Sequence, residues 1–249
     1  MSYDLESIKK SEAKKTPLTV IHGTPGIGKT TFAAGFPKPL FILTEDGLGS
    51  NEVDAFPLCG SMDNVFAALE TCYKLKEGEK ETLVIDSLSA LEFLIWEKVA
   101  SDHGKKNIED IGYAKGYIYA LDYWRDLTLA VKGLLSRGVF KNVILIAHSD
   151  ISRFESPDSE SYDRNVIKLH KRAFQFFYEQ ADIIGFASQP IFIKKVDESS
   201  KERAIAKDKG GAVLYLKEKP SLIAKNRYGM PDSIPFTSTD FLEALHNKK

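Results

Sequence analysis

Between positions 23 and 30 the chain reads Gly-Thr-Pro-Gly-Ile-Gly-Lys-Thr, which fits G-x-x-x-x-G-K-[ST]. Each residue type has a use in holding phosphate. Gly23, Gly26 and Gly28 can take φ > 0, so that successive N–H groups close on anionic oxygens. Lys29 can reach β- and γ-phosphates, and the Thr30 hydroxyl can hold Mg²⁺. Gly23, Thr24, Pro25, Gly26, Ile27, Gly28, Lys29, Thr30 and Thr31 are therefore candidate nucleotide-binding residues, with ATP and Mg²⁺ as the expected ligands.

Two further side chains suit the same chemistry. Asp86 closes the apolar run Thr82-Leu83-Val84-Ile85. An acid at the end of a parallel strand beside a phosphate loop can hold the hydration shell of Mg²⁺. It could also cap the next helix, although Ser87 is available for that. His148 follows Asn142-Val143-Ile144-Leu145-Ile146-Ala147. There it could contact a γ-phosphate or the attacking water, or be structural.

These residues need elements to position them. Leu18-Thr19-Val20-Ile21 reads as a buried strand, and Thr31-Phe32-Ala33-Ala34 as the first turns of a helix. The helix N-terminus adds partial positive charge at the phosphate. Residues 40–43, 82–86, 142–147, 182–187 and 191–193 read as further strands. Helices are expected over 61–76, from Leu88 to about Val99, over 113–136, 166–180 and 239–246. Residues 203–206 and 212–216 read as a hairpin joined through Lys207-Asp208-Lys209-Gly210-Gly211. The polar stretch 150–165 reads as a long loop. The expected fold is α/β, a mostly parallel twisted sheet flanked by helices with a C-terminal antiparallel hairpin. Residues 1–16 would be a flexible lead-in and 17–249 one domain.

Composition narrows the class. Hydrophobic residues make up 43% and charged residues 28%, as in globular domains. No run of 18 apolar residues occurs, so no membrane partner or span is expected. The lysine-rich start lacks the apolar core of a secretory signal. Cys59 and Cys72 lack metal-site spacing and suit reduced thiols in a cytoplasmic protein.

A net charge of −1 hides an asymmetry. Residues 41–110 carry 15 acidic and 6 basic side chains, and residues 164–228 carry 14 basic and 7 acidic ones. The basic half could face a polyanion or be a solvated surface. Arg153, Phe154, Tyr162, Arg164 and Lys168 combine rings and cations, the composition that stacks bases and neutralises phosphates.

The order of phosphate loop, Thr44-Glu45, Asp86 and His148 resembles the RecA-like P-loop ATPase core, over about residues 17–236. In that family the glutamate of the Thr-Glu pair orients the attacking water, and Glu45 matches it. Leu83 to Leu91 resembles the family's Walker B segment. Lys225-Asn226-Arg227-Tyr228-Gly229 resembles a Lys-x-Arg-x-Gly motif whose Lys and Arg act on a neighbouring subunit's nucleotide. The resemblance implies catalytic roles for Lys29, Glu45, His148, Lys225 and Arg227, and metal binding by Thr30 and Asp86. It also implies a homo-oligomer with an intersubunit ATP site. The short single-domain ATP-binding proteins of phages look similar. They imply action on single-stranded DNA in recombination or replication, in the host cytoplasm, with a single-strand-binding protein as a further partner. His148 stands where the family usually has Gln.

The alternatives are a small-molecule kinase and a nucleotide-gated interaction module, both without DNA binding. A GTPase would need an Asn/Thr-Lys-x-Asp motif, and Lys194-Lys195-Val196-Asp197 does not supply one.

Overall fold

A computed structural model describes residues 16–155, 160–196, 203–208 and 210–247, with backbone alone for 191–196 and 203–208. The expected lead-in lies almost wholly outside the described residues. The elements run β1 (Leu18–Gly23), α1 (Lys29–Ala34), β2 (Pro39–Leu43), β3 (Asp54–Ala55), α2 (Met62–Cys72), β4 (Thr82–Asp86) and α3 (Leu88–Asp102). They continue with α4 (Gly116–Ser136), β5 (Asn142–Phe154), β6 (Tyr162–Ile167), α5 (Lys171–Gln180), β7 (Ile183–Ser188), β8 (Ile191–Val196) and β9 (Arg203–Asp208). Last come β10 (Val213–Tyr215), β11 (Lys225–Asn226), β12 (Ser233–Pro235) and α6 (Ser238–His246).

The main sheet has the order β12-β10-β7-β1-β5-β4-β2-β3. Strands β7, β1, β5, β4, β2 and β3 are parallel, and β10, β11 and β12 join antiparallel at one side. Strand β5 lies between the strands that carry the phosphate loop and Asp86.

The central strands are apolar on both faces because both faces are covered. Leu18, Val20, Leu83, Ile85, Val143 and Leu145 pack with α2, α3, α4 and α5 in one core. The alternate residues Ile21, Val84, Ile144 and Ile146 face the other way, with Phe32 of α1 and Phe241 of α6. The period of two along each strand sorts them. Among the described residues no helix is long and apolar enough to cross a membrane.

Two sequence expectations need correction. Most of residues 150–165 form a β-ribbon rather than a loop. Strand β5 runs on past the sheet to Phe154 and pairs antiparallel with β6, from Ser149↔Ile167 to Phe154↔Tyr162. The helix expected from Val166 therefore begins only at Lys171. Secondly, β9 pairs with β8 and not with β10. Strand β10 instead lies between β7 and β12. The antiparallel hairpin exists, but its partner is the strand before it.

Candidate functional site

The strand ends deliver the site. Gly23 ends β1, Thr44 and Glu45 follow β2, Asp86 ends β4, and His148 lies where β5 leaves the sheet. Parallel register brings these together at one edge: Gly23 pairs with His148 and Leu43 with Asp86.

The loop is shaped by its glycines, for two different reasons. Gly26 and Gly28 have φ of +79° and +95°, in the region that favours glycine. Gly23 instead lies in β1, and a Cβ there would sit 2.6 Å from the Ala187 carbonyl oxygen. Close strand packing, not a left-handed turn, requires that glycine. Helix α1 starts at Lys29, directly after Gly28, and aims its free N–H groups at the loop.

Lys29 is buried, and its Nζ donates to the carbonyls of Gly23 and Thr24, each at 2.9 Å. Burial lowers its pKa, opposed by the charges of Asp86 and Glu45. The Thr30 hydroxyl donates to Asp86 Oδ2 at 2.8 Å. Burial raises the Asp86 pKa, opposed by that hydrogen bond. Ser87, not Asp86, caps α3, through its hydroxyl on the Ala90 N–H. Asp86 is thus left for another role. A buried carboxylate against a threonine hydroxyl, beside a lysine and a glycine loop, fits Mg²⁺ and a nucleotide phosphate.

Glu45 faces His148. Its carboxylate oxygens lie 3.0 and 3.2 Å from His148 Nε2, which donates. That hydrogen bond holds the Glu45 pKa below the ordinary carboxylate range, against a smaller opposing effect of burial. Nδ1 of His148 is buried without a hydrogen-bond partner. Thr44 locks the two strand ends together: its hydroxyl donates to the Ser87 carbonyl and accepts from the Ser87 N–H.

A family model described as an AAA domain matches residues 16–228. The chain belongs to the AAA domain family. It is a P-loop ATPase by family, and the four strand-end motifs form one site within that match. No curated protein matches the sequence. Among the solved structures that are similar, two are 13% identical to the chain. The flagellar accessory protein FlaH from Methanocaldococcus jannaschii has a TM-score of 0.39, with 84% of this chain and 89% of that chain covered. The second structure is an isolated ATPase domain, with a TM-score of 0.42 and 86% of each chain covered.

Other expected site residues of this AAA domain lie elsewhere. Lys225 and Arg227 sit at the opposite edge of the sheet, where β11 pairs with the start of β7. Lys225 Nζ donates to the carbonyls of Tyr178 and Glu179 at the end of α5. Arg227 reaches the Glu179 carbonyl and, at 3.6 Å, Asp182, and its side chain remains 53% exposed. Arg153, Phe154, Tyr162 and Arg164 lie on the ribbon, and Lys168 lies at its root. The rings of Phe154 and Tyr162 are in contact, and Arg164 lies over Phe154 and pairs with Glu218.

Sequence reasoning missed His22, the residue before the loop. It is fully buried, with Nε2 donating to the Ile223 carbonyl at 2.9 Å, so Nδ1 must accept from the Ser149 hydroxyl at 2.8 Å. One neutral imidazole thus ties the phosphate-loop strand to the ribbon strand and to the segment before Lys225. Burial pushes its pKa down to about 4. The unfolded chain therefore binds a proton that the native state refuses between about pH 6.5 and 4, and stability falls as pH falls through that window. From pH 7 to pH 5 we expect a loss of about 2 kcal/mol from this group. Denaturant unfolding at both pH values should show it, and His22→Gln should flatten the slope.

Proposed function

We propose that the protein hydrolyses ATP with Mg²⁺ at an interface between copies of itself, in a cycle linked to single-stranded DNA. The Thr30–Asp86 pair beside Lys29 is the observation that carries the hydrolysis reading. Mg²⁺ held there would neutralise charge on the phosphate oxygens. Lys29 would exchange its two loop carbonyls for those oxygens. Glu45 would orient the attacking water or take its proton, once its carboxylate leaves His148. His148 would then be left to sense the γ-phosphate. A small-molecule kinase would place an acceptor alcohol where this reading puts water. The test is ADP formation with Mg²⁺ and no phosphate acceptor. An absolute need for an acceptor would overturn the hydrolysis reading.

The intersubunit part rests on Arg227, half exposed on the edge away from its own phosphate loop. Supplied to a neighbour, such a side chain can be worth ~10³–10⁵ in rate. Mixing Arg227→Ala with Lys29→Ala protein is expected to restore part of the activity each lacks alone. A mixed interface pairs an intact loop with an intact arginine. No recovery in the mixture would count against the role in trans.

The DNA part rests on the ribbon that extends from the strand-end site, with Arg153 and Phe154 exposed on it and Arg164 lying over Phe154. The resemblance of the sequence to single-domain ATP-binding proteins of phages would set this cycle in recombination or replication. Strand binding should weaken steeply with salt, and ATP turnover should rise when a single strand is added. Salt-insensitive or absent binding with ATP present would remove DNA from the function.

A further inference from the structure

Behind the catalytic edge, between α3, the ribbon root and α5, lies a cavity of about 420 Å³. Its lining includes Glu92, Phe93 and Trp96 from α3, Phe174 from α5, and Lys168 and Lys171. Nothing in the hydrolysis mechanism uses these six side chains.

The wall is built rather than incidental. Phe93 and Trp96 meet edge to face at 5.1 Å. Behind Trp96, the His170 ring stacks on Tyr117 at 4.2 Å. Glu92 is 5% exposed, and both of its oxygens accept the single His170 N–H, at 3.0 and 2.9 Å. Burial pushes its pKa up to about 7. One donor shared by two oxygens leaves acceptor capacity unused.

The chemistry selects the occupant. A wholly apolar guest would leave the Glu92 carboxyl without a further donor, and a bare phosphate would meet that carboxyl. A free cation gains no net attraction, because Lys168 and Lys171 stand against Glu92 and Asp150 in the lining. A flat ring with an N–H donor, carried on a chain with phosphates beside it, satisfies all of them at once.

We propose that this cavity captures one unstacked nucleobase of a single-stranded nucleic acid, stacked on Trp96 with Phe93 against its edge, hydrogen-bonded to Glu92, with flanking phosphates on Lys168 and Lys171. The inference rests on the single-strand reading above and adds a base subsite to it. Glu92 favours bases with an exocyclic amine, as carboxylates do with cytosine. The cavity also touches the catalytic pair. The Ser89 hydroxyl donates to the Lys168 carbonyl at 2.9 Å and accepts the His148 N–H at 3.0 Å. The Lys168 N–H in turn donates to the His148 carbonyl at 2.9 Å. A base that shifts Lys168 therefore shifts the backbone of the residue holding Glu45.

Tryptophan emission tests this in the full chain. The sequence has two tryptophans, and Trp124 is 1% exposed, so quenching by a strand reports Trp96. An oligodeoxycytidine strand, a base-free strand of the same length and dCMP are titrated at low salt with ATP, with strand anisotropy followed in parallel. The oligodeoxycytidine is expected to quench and the base-free strand is not. Trp96→Phe should lose the response while anisotropy still reports binding. Glu92→Gln should erase a preference for oligodeoxycytidine over oligothymidine of roughly fivefold or more. Binding by anisotropy without quenching, or with equal quenching by the base-free strand, would overturn the subsite and leave the DNA reading standing. Equal quenching by dCMP at the same base concentration would make it a mononucleotide site and overturn the strand proposal. No binding by anisotropy would overturn both.

Discussion

Lys29→Ala is expected to reduce nucleotide turnover by at least ~10²–10³-fold, the cost of removing one charge-stabilising donor from a preorganised site. Lys29 is buried among acceptors, with Nζ on two loop carbonyls. Its charge also offsets those of Asp86 and Glu45. The substitution therefore leaves the Asp86 and Glu45 carboxylates without that cation, and weaker nucleotide binding should accompany the lost rate. Lys29→Met keeps most of the volume and separates lost charge from lost packing. Both variants should melt as one folded species while ADP formation disappears. Turnover within tenfold of the parent in either would remove Lys29 from the chemistry.

Glu45→Gln should behave differently: nucleotide binding kept, hydrolysis slowed by ~10²–10⁴-fold. Glu45 hydrogen-bonds to His148 and acts on Lys29 through its charge, so glutamine is expected to keep the phosphate cradle in place. The hydrogen bond from His148 keeps Glu45 ionised. A carboxylate held that low is a weak base, suited to orienting water until His148 lets go. The amide can still accept from His148 Nε2 but cannot take a proton. Fluorescent-nucleotide titration and single-turnover hydrolysis check the two halves separately. Full turnover in Glu45→Gln would exclude it as the base. Loss of binding would assign it to the nucleotide cradle instead.

The edge that gathers the candidate site is legible in the sequence because each of its residues follows an apolar run. Leu40 to Leu43 points to Glu45, Leu83 to Ile85 to Asp86, and Val143 to Ala147 to His148. The ribbon is illegible for the opposite reason. From Asp150 to Phe154 every residue of β5 is exposed, so no buried face imposes a period of two. The hairpin expectation names the wrong partner because Gly210-Gly211 is a strong local turn signal. Pairing of β10 with β7 is a long-range choice made by Leu214, which packs fully buried near Ala187. Glu92 does carry a signal: it falls four residues after Leu88, on the apolar face of α3. His22 carries none, since its partners lie 127 and 201 residues away.

That same separation bears on how the protein is made. Strand β1 is translated before both of its sheet neighbours, β5 and β7. Leu18 pairs with Val143 and Thr19 with Ile183. At synthesis rates of about 5–20 residues per second, roughly ten to thirty seconds separate the appearance of β1 from that of β7. Until β5 is made this fully buried strand has no neighbour to join, and β2 and β4 can pair before it. The nucleotide cradle is thus translated well before the sheet around it is complete. ATP capture during synthesis would mark chains whose central sheet has closed.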